Sequence, residues 1–347
     1  KHQPPARPRH GYRLEDGKAH SRDHALWSRR DFMRGLGLSL AGAATLSGLP
    51  VRAFAGTPVM QELSALESDR VLVLIQLSGG NDGLNTVIPY ENDIYYQRRP
   101  TIAISKSAAA TQGIGQDLGL HPSLNPLFTS FNEGQMAVLQ NVGYPDPNLS
   151  HFRSTDIWLS GSDSEAVVQS GWVGRHLDAL YPNFEEERPE FPLAVQIGGV
   201  SSLMTQGPDT NMGMSLISEE FFERLAEEGA LYNMQGLPDT VYGGEMAYVR
   251  SVANDSFIYA DAVRTASQQG ANAVAYPGGN PLSGSLSIAA RLIKGRLGAK
   301  IYHVTLGGFD THANQANAHA TLLQYLAEGI EAFLNDLTDA GQADDVL

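Results

Sequence analysis

The first candidate for chemistry is an aspartate and a histidine that follow an apolar run. Residues 301–306 form the run, and Gly307 and Gly308 lead from it to Asp310 and His312, with a glutamine three residues further on. Because two glycines permit a tight turn, the carboxylate and the imidazole can face one point, as a cation with oxygen and nitrogen ligands requires. The alternative is an aspartate that caps a helix beside a surface histidine.

A second cluster follows the first strongly apolar run, residues 71–77. Asn81 and Asp82 stand in the glycine-rich segment 78–85 that ends this run. A carboxylate after a buried parallel strand often binds a metal or a phosphate in open α/β sheets. The alternative is a turn in which Asn and Asp only tolerate left-handed backbone.

The third candidate is the start of a predicted helix over residues 152–159. Ser150 and His151 precede it, where free N–H groups and the helix dipole favour an anion or a deprotonated nucleophile. Arg153, in the first turn of this helix, could pair with a substrate oxygen. The alternatives are a plain serine N-cap and a solvated surface arginine.

Strands and helices alternate along the rest of the sequence. Apolar runs predict strands at 71–77, 101–104, 136–142, 193–197 and 301–306, and helical spacing predicts helices at 124–131, 152–159, 173–180, 219–228, 246–267, 285–297 and 322–337. This alternation predicts an α/β domain with a mostly parallel sheet and chemistry at the carboxyl ends of its strands. Residues 344–347 resemble the start of another strand, so we expect the domain to be incomplete at its C-terminus.

Residues 1–55 differ in charge from the remainder of the chain. They hold ten Lys and Arg against four Asp and Glu, a net charge of +6, whereas residues 56–347 carry −20 of the total of −14. Arg29 and Arg30 precede a mildly apolar run at 35–49, and an Ala-x-Ala site ends at Ala55. This pattern predicts a twin-arginine export signal that is read by the twin-arginine translocase and cleaved after Ala55.

A membrane anchor is the alternative to the signal peptide, but the run at 35–49 is shorter than the ~20 apolar residues needed to cross a bilayer. No later stretch is long and apolar enough to do so. We therefore expect the mature part, residues 56–347, to be periplasmic or secreted and to have no membrane span.

Composition removes several classes of function. The chain has no cysteine, which excludes disulfides, thiolate nucleophiles and iron–sulfur clusters. Its net charge of −14 argues against binding to nucleic acid or to anionic lipid. The absence of a G-x-S-x-G motif, of a P-loop and of a complete G-x-G-x-x-G after a strand disfavours ordinary serine hydrolases and nucleotide-binding folds.

Six separated motifs together resemble one known family. In order they are SRRDF, LIQLSGGNDGLNTVIP, LHPSLNPLF, AVLQNVGYPDPNLSHFRSTDIWLSG, GWVGRHLD and LGGFDTHANQ. Their order and spacing are similar to those of the exported bacterial domain-of-unknown-function family 1501, which is grouped with the alkaline phosphatase and sulfatase superfamily. The resemblance implies a three-layer α/β/α sandwich and a site for two divalent metal ions, for which we expect zinc.

The resemblance also implies roles for the candidate residues. Asp82, with Asn81 beside it, matches the first strand-end metal ligand, and Asp310 and His312 match the Asp and His of the other metal site. The family has later S-E-F-G-R and G-T-D-H-G segments with further ligands, which this sequence lacks. We therefore expect this chain to hold about half of the metal site and to be inactive.

The nucleophile is less well defined by the resemblance. The superfamily places a Ser, Thr or modified Cys at the head of a helix that ends in Trp-x-x-Gly, which here is residues 158–161. Counting back from this end places His151 at the nucleophile position and Ser150 one residue away from it. Both residues therefore stay open as the nucleophile.

Taken together, these observations predict an exported hydrolase of phosphate or sulfate esters that uses two zinc ions. Its substrate would be an anionic ester, either a small molecule or a polymer. One alternative is a non-catalytic exported binding or assembly protein with the same fold, since fold does not determine function. Another is a metal-dependent mutase or transferase on the same scaffold.

Overall fold

The computed structural model describes residues 44–46, 49–51, 70–110, 112–115, 117–198, 202–216, 232–233, 236–238 and 240–347. The chain divides into a smaller unit, Lys1–Ser68 with Leu139–Trp172, and a larger unit, Asp69–Val138 with Val173–Leu347. The twin-arginine pair and the cleavage site of the predicted signal lie outside the described residues. Between the arginine pair and the cleavage site, two short strands, β1 (Ala44–Leu46) and β2 (Leu49–Val51), pair antiparallel.

The larger unit contains the remaining strands and all but one of the helices described in the structure. The strands are β3 (Leu72–Leu77), β4 (Val87–Ile88), β5 (Gly113–Gly115), β6 (Leu118–Leu120), β7 (Ala194–Ile197), β8 (Gly213–Leu216) and β9 (Ile301–Leu306). The helices in chain order are α1 (Gly83–Thr86), α2 (Asp93–Arg98), α3 (Lys106–Ala110), α4 (Asn125–Asn132), α5 (His151–Ser160), α6 (Trp172–Leu180), α7 (Val241–Gln269), α8 (Pro281–Lys294) and α9 (Gln315–Asp339), of which α5 belongs to the smaller unit. Three-residue 3-10 turns occur at Pro122–Leu124, Leu203–Thr205 and Ala343–Asp345.

A four-stranded parallel sheet forms the centre of the larger unit. Its strand order is β3-β9-β7-β8, and every neighbouring pair runs parallel. A second sheet, in the order β4-β6-β5, is antiparallel. The predicted α/β class with a mostly parallel sheet is therefore confirmed, whereas the alkaline phosphatase type of sandwich stays a prediction.

Apolar residues explain why the sheet is covered by helices. All four residues of β7 and of β8 are buried, as expected for parallel strands with both faces covered. Helix α8 begins where the Asn280 side chain accepts hydrogen bonds from two backbone N–H groups, with Pro281 in its first turn. Its residues Leu282, Leu286 and Ala290 are buried in the same core as Tyr302 and Val304 of β9.

Several expected elements differ from the structure. The predicted strands at 101–104 and 136–142 are wrong, because these residues form turns and irregular backbone. Strands β4, β5, β6 and β8 were not predicted. The helix predicted at 219–228 lies outside the described residues. The other predicted strands and helices are present, with ends that differ by up to seven residues.

The last residues of the chain extend the parallel sheet beside β3. Val346 forms a parallel bridge with Val71. The Leu347 N–H donates to Val71 O at 2.9 Å, and the Val73 N–H donates to Leu347 O at 2.7 Å. This pairing agrees with the strand expected to begin there. In the described part of the chain, no helix has the length and apolar character needed to cross a membrane.

Candidate functional site

The loops that follow β3 and β9 meet at one edge of the parallel sheet, which we call the carboxyl edge. Leu77 and Leu306, the last residues of the two strands, are paired in register. Beyond them the Ser78 N–H donates to Leu306 O at 2.9 Å, and the Phe309 N–H donates to Ser78 O at 3.2 Å. The loops that carry Asp82 and Asp310 therefore lie at the same edge, as the sequence predicted.

A glycine allows the two loops to approach this closely. Gly79 has φ of +114°, and a Cβ atom added to it would lie 2.6 Å from the backbone nitrogen of Asp310. Residues other than glycine rarely adopt this backbone conformation. Contacts between a real Cβ atom and a backbone nitrogen are also longer than 2.6 Å. Gly79 therefore fixes the spacing between the loop after β3 and the loop after β9.

The Asp82 carboxylate is bound by three donors. Its Oδ1 accepts from the Asn85 N–H at 3.2 Å, which caps the short helix α1. Its Oδ2 accepts from the guanidinium of Arg99 and from the side-chain amide of Gln315. The two side chains of the ion pair are 18% (Arg99) and 14% (Asp82) exposed, so solvent reaches the pair only in part.

Arg99 follows the last residue of α2 and is held against an aromatic ring. Its guanidinium carbon lies 5.9 Å from the centre of the Tyr95 ring. The Tyr95 hydroxyl donates to Asn85 Oδ1 at 2.7 Å and accepts from the Ile104 N–H at 2.8 Å. Burial is the main cause that raises the pKa of Tyr95, so the ring remains neutral beside Arg99. Tyr95 is thus a fixed support for the guanidinium.

The neighbouring Asn81 is bound by a buried histidine. Its Oδ1 lies 2.9 Å from Nε2 of His319 and accepts from the Thr86 hydroxyl at 3.3 Å. Because an amide oxygen only accepts, Nε2 of His319 must carry a proton in this contact. Two donors already use the oxygen that was expected to help bind a metal. In this arrangement Asn81 positions the loop.

A second buried histidine stands beside the first. The ring centres of His121 and His319 are 6.0 Å apart, and the side chain of His121 accepts through Nδ1 from the Ser123 N–H at 3.1 Å. Burial, with a smaller effect from His319, lowers the pKa of His121 to about 4. Burial also lowers the pKa of His319, although the Asp82 carboxylate opposes this effect. Both imidazoles are therefore neutral at pH 7.

Asp310 and His312 contact each other in the loop after β9. Nε2 of His312 lies 2.8 Å from Oδ1 of Asp310, and the two side chains are 80% and 42% exposed. His312 has φ of 38° and Asn314 has φ of 59°, which is a conformation that non-glycine residues seldom adopt and that often occurs at functional sites. The local backbone therefore turns both side chains to one exposed position.

The donor set at the carboxyl edge suits a divalent metal in chemical type. Asp82 and Asp310 offer carboxylate oxygens and His312 offers an imidazole nitrogen, which zinc binds readily. The contact between Asp310 and His312 is short enough for both to be ligands of one ion. Within the described residues, however, no three His, Asp or Glu side chains are already grouped closely enough to hold an ion. The residues fit a metal, but they are not assembled around one.

Ser150, His151 and Arg153 belong to the smaller unit. Ser150 has the backbone of an N-cap for α5, but its side chain makes no capping hydrogen bond. Arg153 donates through Nη2 to the backbone oxygens of Ser164 at 3.0 Å and Ala166 at 2.5 Å. The guanidinium therefore holds the chain that follows α5.

Four residues of this edge have no predicted role from the sequence, namely Arg99, Gln315, His319 and His121. Gln315 and His319 are four residues apart on α9, so they share one face of that helix. This spacing was a usable signal, but the helix was predicted to begin only at residue 322. Arg99 carried no such signal, because it follows another arginine and precedes a proline.

Neither the curated proteins nor the solved structures contain one that matches this chain. A family model described as "Protein of unknown function (DUF1501)" matches residues 69–347, which include every strand and helix of the larger unit. The chain therefore belongs to the DUF1501 family.

Proposed function

We propose that this protein is an exported, metal-dependent hydrolase of phosphate or sulfate esters. The observation that supports it most is the junction of the loops after β3 and β9, where Ser78 and Phe309 share a hydrogen bond of 3.2 Å. This junction brings the Asp82 loop and the Asp310 loop to one edge of a parallel sheet, where α/β enzymes usually have their sites. The grouping of the family that its motifs resemble with the alkaline phosphatase and sulfatase superfamily supports the same reaction class.

In this proposal Asp310 and His312 bind one divalent ion and Asp82 contributes to a second, with zinc as the expected metal. Two bound ions of this kind would polarise the ester and favour an oxygen nucleophile at neutral pH. The residues of the chain position the ligands. Asn81, which is bound by His319, sets the position of the Asp82 loop. Ser150 or His151 as the nucleophile and Arg153 as a substrate-binding residue stay predictions from the sequence.

The test compares ligand variants with a matched surface variant. Protein expressed from its complete reading frame would be assayed for bound zinc and for turnover of p-nitrophenyl phosphate and p-nitrophenyl sulfate. We expect Asp310→Asn and His312→Gln to lower zinc affinity at least about a hundredfold, since even outer-shell changes cost 10- to 100-fold. Asp339→Asn is the control, because Asp339 is an exposed carboxylate at the far end of α9.

Equal zinc affinity in Asp310→Asn and Asp339→Asn would show that the metal assignment is wrong. The second candidate function is a non-catalytic exported binding or assembly protein. It is favoured by one observation, namely that the Asp82 carboxylate is already neutralised by Arg99. Zinc binding without turnover of either ester would support that alternative, and transfer of phosphate to an added alcohol would support a mutase or transferase.

A further inference from the structure

We propose that His319 is a positioning residue that holds the loop after β9, residues 307–314, in the conformation that brings Asp310 and His312 together. The inference rests on the proposed function in one respect, because this pair is the one expected to bind a divalent ion. His319 lies outside the loop, on α9, and acts through two other residues, Phe309 and Asn81.

The loop after β9 needs support from its surroundings because its backbone is strained. His312 has φ of 38° and Asn314 has φ of 59°. The side chains of His312 and Asp310 are 80% and 42% exposed, so they pack little against the rest of the protein. Strained residues persist only where neighbouring structure determines their conformation. The contacts that hold this loop must therefore come from the residues at its two ends.

Phe309 is the buried residue of this loop, and its ring packs against His319. It is 0% exposed, and the two ring centres are 6.1 Å apart with the ring planes at 82°, an edge-to-face contact. The Phe309 N–H donates to Ser78 O at 3.2 Å, which ties the same residue to the loop after β3. A shift of the Phe309 ring would therefore move the backbone that leads directly to Asp310.

The same imidazole binds the loop after β3. Nε2 of His319 carries a proton and lies 2.9 Å from Oδ1 of Asn81. The ring of His121 packs against His319 edge to face, with ring centres 6.0 Å apart. His319 is 2% exposed, so these neighbours determine where its ring lies. One buried side chain thus joins the two loops of the candidate site.

The far end of the loop is held by the first turn of α9. Helix α9 begins at Gln315, directly after the loop, and the Gln315 side-chain amide donates to Asp82. His319 follows one turn later on the same face of the helix. The loop is therefore held near its start through Phe309 and at its end through α9. Asp310 and His312 lie between these points, so their arrangement depends on both attachments.

Hydrogen–deuterium exchange of the whole protein without metal tests the positioning role independently of any metal. The reporter is the Phe309 amide, and its exchange rate is expressed relative to the amides of β9, so that a general loss of stability cancels. His319→Leu removes the donor to Asn81, Asn81→Ala removes the acceptor, and His319→Gln keeps an N–H donor. The control is Leu337→Ala, which removes a fully buried side chain near the other end of α9.

We expect the relative exchange rate of the Phe309 amide to rise about tenfold in His319→Leu and in Asn81→Ala, since loss of one partner from a buried hydrogen bond is worth roughly one factor of ten. His319→Gln should stay nearer to the wild type, and Leu337→Ala should leave the relative rate unchanged. If His319→Leu does not fold, as judged by far-UV circular dichroism, Asn81→Ala supplies the same comparison at an exposed residue.

Titration of the same proteins with Zn²⁺ alone separates this inference from the proposed function. His319→Leu should weaken zinc binding at least about tenfold, as changes behind metal ligands do, and His319→Gln should restore most of it. Equal relative exchange in His319→Leu and Leu337→Ala would overturn the positioning role by itself. Faster exchange with unchanged zinc affinity would also overturn it, because the pair would then not depend on the loop attachments. Faster exchange in a protein whose wild type binds no zinc would leave His319 as the residue that holds the loop and would contradict the proposed function.

Discussion

Lys294 and Asp336 form a buried ion pair, and we predict that Lys294→Met lowers the free energy of unfolding by about 3 kcal/mol. The side chains are 7% and 0% exposed, and Nζ of Lys294 lies 2.7 Å from Oδ1 of Asp336. Lys294 is on α8 and Asp336 is on α9. Nζ also donates to Ala271 O at 2.9 Å, so the pair ties the two helices to the segment after α7.

The magnitude follows from what the variant leaves behind. Without the ammonium, the buried Asp336 carboxylate keeps two neutral donors, the Ala273 N–H at 2.9 Å and the Tyr276 hydroxyl at 3.2 Å. Burial, together with the Asp336 charge, raises the pKa of Tyr276, so this donor persists at neutral pH. Breaking one side of a buried pair costs about 3–5 kcal/mol, and the two remaining donors place this case at the lower end.

Urea unfolding followed by circular dichroism measures the change as a shift of the midpoint at constant m-value. The control is Arg264→Met, because Arg264 and Asp261 form a pair whose side chains are 39% and 77% exposed. Such a surface pair contributes about 0–1 kcal/mol. Adding Asp336→Leu to Lys294→Met should recover part of the loss, since no buried charge remains. A loss below about 1 kcal/mol for Lys294→Met would refute the reasoning, because the carboxylate would then not need its partner.

Three further predictions concern the two loops, the buried histidines and the export signal. Gly79→Ala should destabilise the protein by more than about 1 kcal/mol because its φ is +114°, whereas Gly83→Ala should have little effect since nothing lies within 4 Å of the added Cβ; equal midpoints in urea would contradict this. His121 has a pKa of about 4 when folded and about 6.5 when unfolded, so its contribution to stability is complete above pH 6.5 and is lost as the pH falls towards 4. The free energy of unfolding from urea titrations should therefore fall by about 3 kcal/mol less in His121→Gln than in the wild type over that window, and parallel declines would rule this out. Replacement of Arg29 and Arg30 by Lys should leave the precursor in the cytoplasm, as measured by cell fractionation and by the absence of cleavage after residue 55, and normal export would count against a twin-arginine signal.

The strands of the central sheet could be predicted where burial on both faces gives a continuous apolar run, as in β3 and β9. The same rule failed at residues 101–104, because their backbone groups are satisfied locally. Ile102 and Ala103 donate to Arg99 O, and Ile104 donates to the Tyr95 hydroxyl. With these N–H groups already paired, the segment has no need of a neighbouring strand.

The wrong strand at 136–142 has a different physical cause. Its apolar residues Leu139 and Val142 are 77% and 80% exposed, so the run is not an interior strand. An apolar run predicts burial only when another element covers it, and covering is a tertiary property. Strand β8, which was also not predicted, shows the converse, because Gly213, Met214 and Ser215 have low strand propensity but are buried.

The sequence could predict those parts of the candidate site whose position is set by the parallel strands. Asp82 and Asp310 follow two apolar runs, and parallel pairing of those runs places both loops at one edge. The contact of Arg99 with Asp82 depends on where α2 ends. Arg98 is the last helical residue and is exposed, whereas Arg99 has left the helix and bonds to the carboxylate. The two adjacent arginines thus have different surroundings because the helix ends between them.

The start of α9 explains why the adjacent Asn81 and Asp82 have different hydrogen-bond partners. Asn314 has left-handed backbone and α9 begins at Gln315, which bonds to Asp82, while His319 one turn later bonds to Asn81. His319 is 2% exposed and neutral, so its bond to Asn81 is not expected to change with metal or with mild pH changes. The charge of Asp82 is instead balanced by the guanidinium of Arg99. Asn81 is therefore bound by a neutral, buried imidazole, whereas Asp82 is bound by a charged guanidinium that solvent reaches in part.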